Sequence, residues 1–143
     1  MNIAREAADS GFSRFTTYIR GVTQMDELYQ QVQVYLNMEG EIDFNEFQDY
    51  YKKVLDYLQE QGNDLEEDQI WKGLLVVESI ASNAENRFKE QRKGKEVKKY
   101  KRMRERAKLW AQNFTKRLQS LGYNDEQINE RFHAMLEEEP EQQ

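Results

Sequence analysis

Few residues of this sequence could take part in acid–base or metal chemistry. Glu130 and His133 form a Glu-x-x-His pair, a spacing that di-metal carboxylate bundles use to hold their ions. A complete site needs two such pairs, and because His133 is the only histidine, only a symmetric dimer would supply the second. At about 100° of rotation per helical residue, both side chains point away from the apolar face of Ile128, Phe132 and Met135. We therefore interpret His133 as a surface residue.

The residues of the other common catalytic arrangements are missing. The chain has no cysteine, which excludes disulfides, thiolate nucleophiles and cysteine-bound metals. A single histidine without cysteine leaves no usual catalytic triad or zinc site, and no GxxxxGK[ST] or GxGxxG loop is present to hold phosphate. The 27 acidic residues contain many accidental carboxylate pairs, so such pairs indicate nothing. We predict a protein that is not an enzyme and that holds no metal and no cofactor.

A second stretch with metal-ligand residue types reads YLNMEGEIDFNEF and starts at Tyr35. It contains a glycine, then an apolar residue two positions later, then an acid four positions after that. In this spacing the stretch resembles the calcium-binding loop of the EF-hand family, and the resemblance implies a calcium site. The matching positions are Gly40 at the sharp turn, Ile42 at the apolar position, Glu46 at the closing acid, and Asn37 and Glu39 at two further ligand positions.

The same stretch also has the pattern of a helix start. Tyr35 departs from the EF-hand pattern, since the family places its first Asp ligand there, and no second loop of this kind pairs with this one. Asp43 and Glu46 have capping-box spacing, and Ile42 and Phe47 occupy the two staple positions. We interpret the stretch as the start of a helix and keep a metal-dependent switch as the third alternative for the function.

The most unusual feature is a basic segment, RKGKEVKKYKRMRERAK. Between Arg87 and Arg117 the chain has 14 basic and three acidic residues, a balance of +11. The rest of the chain has seven basic and 24 acidic residues, a balance of −17, and the whole chain carries −6. Charge blocks of this kind are typical of solvated faces or of partner-binding surfaces.

On a helix that begins after Gly94, five cations lie on the side opposite the apolar positions. The interpretation without a function is a solvated hairpin tip, or a tip that folds against the chain's own acidic surface. Our leading interpretation is a contact surface for an acidic protein, and the alternative is a nucleic-acid-binding protein that uses the same basic helix. The acidic remainder and the lack of a helix-turn-helix or RNA-binding signature disfavour nucleic acid. The predicted partner-binding residues are Arg92, Lys93, Lys95, Lys98, Lys99, Arg102 and Arg106.

Two apolar patterns predict the helices that position this segment. From Ile70 to Phe88 apolar residues recur at spacings of four and three and also occur off that face, which is typical of a buried central helix. After Phe88 this pattern loses its phase, and a new one runs to Leu121. The phase change at Gly94 predicts a turn near residues 92–96 and an antiparallel hairpin of Asn63–Arg92 and Lys95–Leu121. The new face contains Val97, Tyr100, Arg104, Ala107, Ala111, Phe114, Leu118 and Leu121.

Arg104 is the one charged member of this second face. In the antiparallel pairing it lies opposite Ala81, whose small side chain leaves room for it. A buried charge needs a partner. We therefore expect a buried stem and a guanidinium that reaches Glu78 or Glu85.

Shorter helices are expected on both sides of the hairpin. Residues 2–9 suggest a short Ala-rich helix, residues 10–20 are ambiguous, and Thr23 is a candidate N-cap for the helix that follows. A helix with Tyr50, Tyr51 and Tyr57 at its core and core edge ends at Gly62, and Asn63 or Asp64 caps the next one. Tyr50 lies off the main apolar face, so a binding role for it stays open. After Gly122 the staple and capping-box pattern recurs in Tyr123, Asn124, Gln127 and Ile128. This pattern predicts the start of a last short helix, in which Phe132, Met135 and Leu136 face inward.

The composition agrees with an all-α protein. The 143 residues include one proline and seven glycines, and abundant Glu, Lys, Gln and Leu favour helices. We predict one domain over 1–143, a helical bundle of five or six helices built on the long antiparallel hairpin, with an acidic frayed tail from about residue 137. No secretory signal and no membrane-length apolar run is seen, so a cytoplasmic protein without membrane contact is expected, and a homo-oligomer stays open.

Overall fold

A computed structural model describes residues 11–91 and 94–138, and for residues 11–23 it describes only the backbone. Within these ranges the chain forms five α-helices and no strand, which confirms the all-α bundle. A short 3₁₀ turn, Gly62–Asp64, separates the second and third helices. The helices are α1 (Gly11–Leu36), α2 (Phe44–Gln61), α3 (Glu67–Gln91), α4 (Glu96–Ser120) and α5 (Asp125–Leu136).

The hairpin of α3 and α4 is the centre of the bundle, and it makes the most extensive contact between any two helices. Gly94 separates the two helices and has φ +132°, a conformation that glycine adopts without steric cost. The predicted break near residues 92–96 is therefore confirmed. Most of the apolar face of α4 pairs with α3. For this reason its residues Tyr100, Ala107, Phe114 and Leu118 are buried.

Helix α3 is buried around much of its circumference, as its sequence predicts. Leu74 and Val77 lie on the predicted face, and Trp71, Leu75 and Ile80 off that face are buried as well. The reason is that α3 is covered by α4, by α1 and, near its N-terminus, by α5. Helices wrapped in this way are apolar on most sides.

Helix α2 begins as the capping pattern predicts. The Asp43 side chain accepts a hydrogen bond from the Glu46 backbone N–H at 2.8 Å, and the staple residue Phe47 is buried. Tyr50 is 2% exposed and its hydroxyl donates to the Leu28 carbonyl at 2.6 Å. This tyrosine therefore ties α2 to α1 in the core, and it also lines a pocket between the helices.

Helix α5 is set by the predicted turn and cap. Gly122 has φ +110°, and Asn124 and Gln127 form a reciprocal capping box. The Tyr123 hydroxyl donates to the Glu67 carboxylate and so joins the start of α5 to the first turn of α3. This bond raises the pKa of the tyrosine hydroxyl above its ordinary value, because the neutral phenol is the donor.

Several predicted helix ends are wrong. Helix α1 continues through Thr23, so this residue does not cap a helix, and the ambiguous residues from Gly11 onward are helical. Neither Asn63 nor Asp64 caps α3, because the chain forms a 3₁₀ turn there and α3 begins only at Glu67. The predicted helix over residues 2–9 and the tail beyond residue 138 lie outside the described residues.

Two residues predicted to face inward are exposed instead. Leu121 is 54% exposed, because α4 ends at Ser120 and the last buried position of its face is Leu118. Leu136, at the C-terminal end of α5, is 37% exposed, whereas Ile128 and Met135 of the same helix are buried.

Candidate partner-binding surface

The basic residues predicted to bind a partner lie on the N-terminal half of α4, at the tip of the hairpin. Five of them are exposed, and we call this set the basic stripe. At 1.5 Å per residue the stripe is about 16 Å long, and its members fall within roughly 100° of the helix circumference. Arg92 and Lys93 lie outside the described residues. The members of the stripe are Lys95, Lys98, Lys99, Arg102 and Arg106.

The ion pairs of the hairpin lie beside the stripe and do not include it. Arg104 Nη1 donates to Glu85 Oε1 at 2.8 Å, and Lys108 Nζ lies 3.1 Å from Glu78 Oε1. Lys89 also faces Glu85, at 3.5 Å. None of the ion pairs found among the described residues involves a member of the basic stripe. The acids of α3 thus neutralise one flank of α4 and leave the stripe uncompensated.

Arg104 reaches Glu85, one of the two carboxylates that its position predicts. Its hydrogen bond, with the charge of Lys89, lowers the pKa of the Glu85 carboxyl below its ordinary value. The Arg104 side chain is 37% exposed, so it is partly buried and not fully exposed. Its Nε atom alone is buried without a partner. The pair therefore lies at the edge of the α3–α4 interface.

The helix dipole disfavours cations at this end of α4. The N-terminus of a helix carries a partial positive charge, and a nearby cation costs a few tenths of a kcal/mol to about 1 kcal/mol. Lys95 occupies the N-cap position and makes no side-chain cap bond, while Lys98 and Lys99 follow within the first turn. Only Glu96 has the charge that suits this position. The sequence thus breaks a local stability rule at the stripe, which is typical of functional sites.

One cation of the stripe is held over an aromatic ring. The Lys99 ammonium lies 5.4 Å from the centre of the Phe44 ring, and Phe44 packs edge-on against Tyr100 at 5.4 Å between centroids. Such contacts contribute about 0.5–1 kcal/mol at exposed sites. The start of α2 therefore supports the stripe from one side.

The sequence analysis missed an apolar neighbour of the stripe. Leu109 is 65% exposed and follows Arg102 by seven residues and Arg106 by three, so it lies on the same face of α4. In the sequence, the only sign that Leu109 is exposed is its position outside the apolar face of α4. The exposed surface thus combines positive charge with one large apolar side chain.

The loop that resembles an EF-hand has another arrangement. The Asp43 carboxylate caps α2, and the Glu46 carboxylate accepts a hydrogen bond from the Tyr35 hydroxyl at 3.1 Å. Tyr35, which replaces the first ligand, thus bonds to the acid that would close the loop. Across residues 11–91 and 94–138, no group of three or more acidic or histidine side chains could hold a metal ion.

The Glu-x-x-His pair is on the surface. Glu130 and His133 are both exposed, and the imidazole packs edge-on against the Phe132 ring, with 6.1 Å between the ring centroids. Among the described residues, this pair is not part of any group of three or more acidic or histidine side chains that could hold a metal ion. The pair therefore remains two neighbouring surface residues of α5.

Comparisons with known proteins give no relative. No family model, no curated protein and no solved structure matches this chain. Among the described residues, none of the helices combines the length and the apolar character that crossing a membrane requires.

Proposed function

We propose that this protein is a non-enzymatic cytoplasmic interaction or regulatory protein whose basic stripe binds an acidic protein partner. One observation carries the proposal: the stripe is exposed, makes none of the described ion pairs, and lies at the helix end where the dipole disfavours cations. A surface selected only for solubility would not need cations in this position. An acidic partner would compensate both the five charges and the helix dipole.

The charge distribution indicates what such a partner must present. The stripe offers cations at spacings of three and four residues over about 16 Å, so carboxylates repeated along one face of a helix would match it. Complementary charges of this kind steer association and raise its rate more than they raise affinity. The acidic remainder of the chain makes a second copy one such partner, so a homo-oligomer belongs to the same proposal.

Nucleic acid is the second candidate, because phosphates would also compensate the stripe. Leu109 favours a protein over a nucleic acid. An apolar side chain on the same face gains free energy from contact with apolar protein surface, whereas a phosphate backbone offers it none. The −17 balance outside the range Arg87–Arg117 would also repel a polyanion.

The test is an affinity capture from the native host with two charge-matched variants. Lys98→Glu, Arg102→Glu and Arg106→Glu together reverse the centre of the stripe. Lys52→Glu, Lys53→Glu and Lys116→Glu reverse three exposed lysines elsewhere and change the net charge equally. We expect the wild type and the control to retain the same acidic protein after nuclease treatment, and the stripe variant to lose it.

Two outcomes would contradict the proposal. If nuclease released all of the captured material, the partner of the stripe would be nucleic acid. Equal loss of the partner in both triple variants would mean that net charge, and not the stripe, determines capture. Circular dichroism of all three proteins checks that the helices remain intact.

A further inference from the structure

A pocket of about 190 Å³ lies between the C-terminal end of α1, the connection over residues 37–43, the first turns of α2, and α3. Most of its wall is apolar, and the side chains of Val32, Phe47 and Ile80 in this wall are buried. An apolar cavity of about 150 Å³ is enough to hold a benzene molecule. The pocket therefore has room for one six-membered ring or a short carbon chain.

Two polar side chains of the pocket wall, Asn83 and Ser79, belong to α3. The Asn83 side-chain oxygen accepts a hydrogen bond from Arg87 Nε at 2.6 Å, which fixes the orientation of the amide. The amide nitrogen is therefore the end of Asn83 that can donate to a molecule in the pocket. An apolar pocket with a few convergent polar groups is typical of small-molecule sites.

Behind Asn83 stands a buried cation. Arg87 is 6% exposed, and its guanidinium also donates to the Ile42 carbonyl at 2.5 Å and to the Tyr100 hydroxyl at 3.4 Å. It lies 4.7 Å from the centre of the Phe47 ring. All of these partners are neutral, and no carboxylate pairs with this residue among the described ion pairs. Buried charges usually have a countercharge, so the positive potential beside the pocket is uncompensated.

We propose that this pocket binds a small monocarboxylate with an apolar body of about six carbon atoms. The body would fill the apolar part, and the carboxylate would accept hydrogen bonds from the Asn83 amide and the Ser79 hydroxyl within the field of Arg87. Glu41 also lines the pocket, but it is exposed, where solvent screens its charge. This site is separate from the basic stripe and does not depend on the function proposed for it.

The probe is benzoate, compared with benzamide as its neutral isostere, each titrated into the full chain by calorimetry. We expect benzoate to bind about tenfold or more tightly than benzamide, because hydrogen bonds to a charged group contribute more than those to a neutral one. Asn83→Asp should reverse this preference, since the new carboxylate would neutralise Arg87 and repel benzoate. Equal affinity for the two probes, or an unchanged preference in Asn83→Asp, would overturn the proposal.

Two further variants locate the site. Ser79→Phe fills the pocket and should remove benzoate binding. Ser82→Phe places the same ring one turn away, in a neighbouring groove that shares Leu36, Ser79 and Asn83 with the pocket, and because Ser82 itself does not line the pocket this change should leave binding unchanged. Binding that survives Ser79→Phe, or that both phenylalanine variants abolish equally, would show that benzoate binds elsewhere.

Discussion

The indole ring of Trp110 packs directly on the backbone of Gly62. A β-carbon at position 62 would lie 2.5 Å from Cη2 of this ring and 2.7 Å from Cζ3, well inside van der Waals contact. Gly62 has φ −58°, so glycine is needed here for space and not for its backbone conformation. Arg117 donates to the Gly62 carbonyl at 2.7 Å, and α4 thus holds the C-terminal end of α2 through two side chains.

Substitution of Gly62 by alanine should therefore destabilise the protein. Overpacking of a filled site typically costs about 1–3 kcal/mol, and we expect a loss of this size in the free energy of unfolding measured with urea. Gly40→Ala is the matched control, because a β-carbon at position 40 meets nothing within 4 Å. It should be neutral or slightly stabilising, since alanine restricts the unfolded chain.

A double variant tests whether the indole ring of Trp110 causes this loss of stability. Trp110→Leu in the Gly62→Ala background should cost less than the sum of the two single changes, because the smaller side chain removes the clash. Strict additivity, or a Gly62→Ala protein as stable as Gly40→Ala, would mean that the indole does not press on this backbone.

The bond between Arg104 and Glu85 should appear in the pH dependence of stability. The pKa of the Glu85 carboxyl is lowered from its ordinary value of 4.5, first by the hydrogen bond from Arg104. A group whose pKa is lower in the folded state stabilises the fold above its unfolded pKa and loses this contribution as the pH falls through the folded value. We therefore expect Glu85→Gln to lose less stability than the wild type as the pH drops below about 4.5.

Urea unfolding at several pH values between about 3 and 7 measures this difference on both sides of the ordinary carboxyl pKa. Arg104→Met should reproduce the weaker acid dependence, because it removes the same hydrogen bond. Lys116→Met removes an exposed charge without breaking a described ion pair and serves as the control. If Glu85→Gln kept the full acid dependence of the wild type, the bond would have no part in stability.

Local rules predicted much of this fold because the local signals agree with tertiary packing. The phase change at Gly94 predicted the hairpin, and the capping box at Asn124 placed the start of α5. Even the partner of Arg104 followed from the register of two helical faces. The same rules failed at Thr23 and at Asn63, where good capping residues occur but the chain does not use them as caps. A capping residue makes a helix end favourable without making it necessary.

The parts of the candidate sites that were missed depend on contacts between distant segments. In the sequence Arg87 is one more cation of the basic range Arg87–Arg117, and only the fold shows that it is buried and donates to the Ile42 carbonyl. The pocket beside it is formed by α1, the 37–43 connection and α2 on one side and by α3 on the other, and α3 is distant in sequence from the other three. Gly62 likewise suggested a helix stop, whereas its main contact is with Trp110, 48 positions away.

Calcium should not stabilise this protein. Tyr35 stands in place of the first EF-hand ligand and bonds to Glu46, while Asp43 is engaged as a helix cap. Thermal unfolding in millimolar calcium and in chelator should give the same midpoint. A native-state site at about 100 times its Kd would add about 2.7 kcal/mol, a shift of roughly 5–10 °C for a chain of this size. A rise of this size in calcium would make the loop a metal site and contradict the helix-start interpretation.

The salt dependence of nucleic-acid binding separates the two candidates for the basic stripe. If its five cations contacted duplex phosphates, each contact would release a counterion, and the log–log slope of affinity against salt would be about −4 to −5. Because we favour an acidic protein, we expect only weak, sequence-independent binding at physiological salt, with a Kd of about 10⁻⁴–10⁻⁶ M. Fluorescence anisotropy with a labelled duplex at several salt concentrations measures both quantities. The Lys98, Arg102 and Arg106 triple variant should lose this residual binding, while the Lys52, Lys53 and Lys116 variant should keep most of it. A sub-micromolar Kd at physiological salt, abolished only in the stripe variant, would reverse the ranking and make nucleic acid the partner.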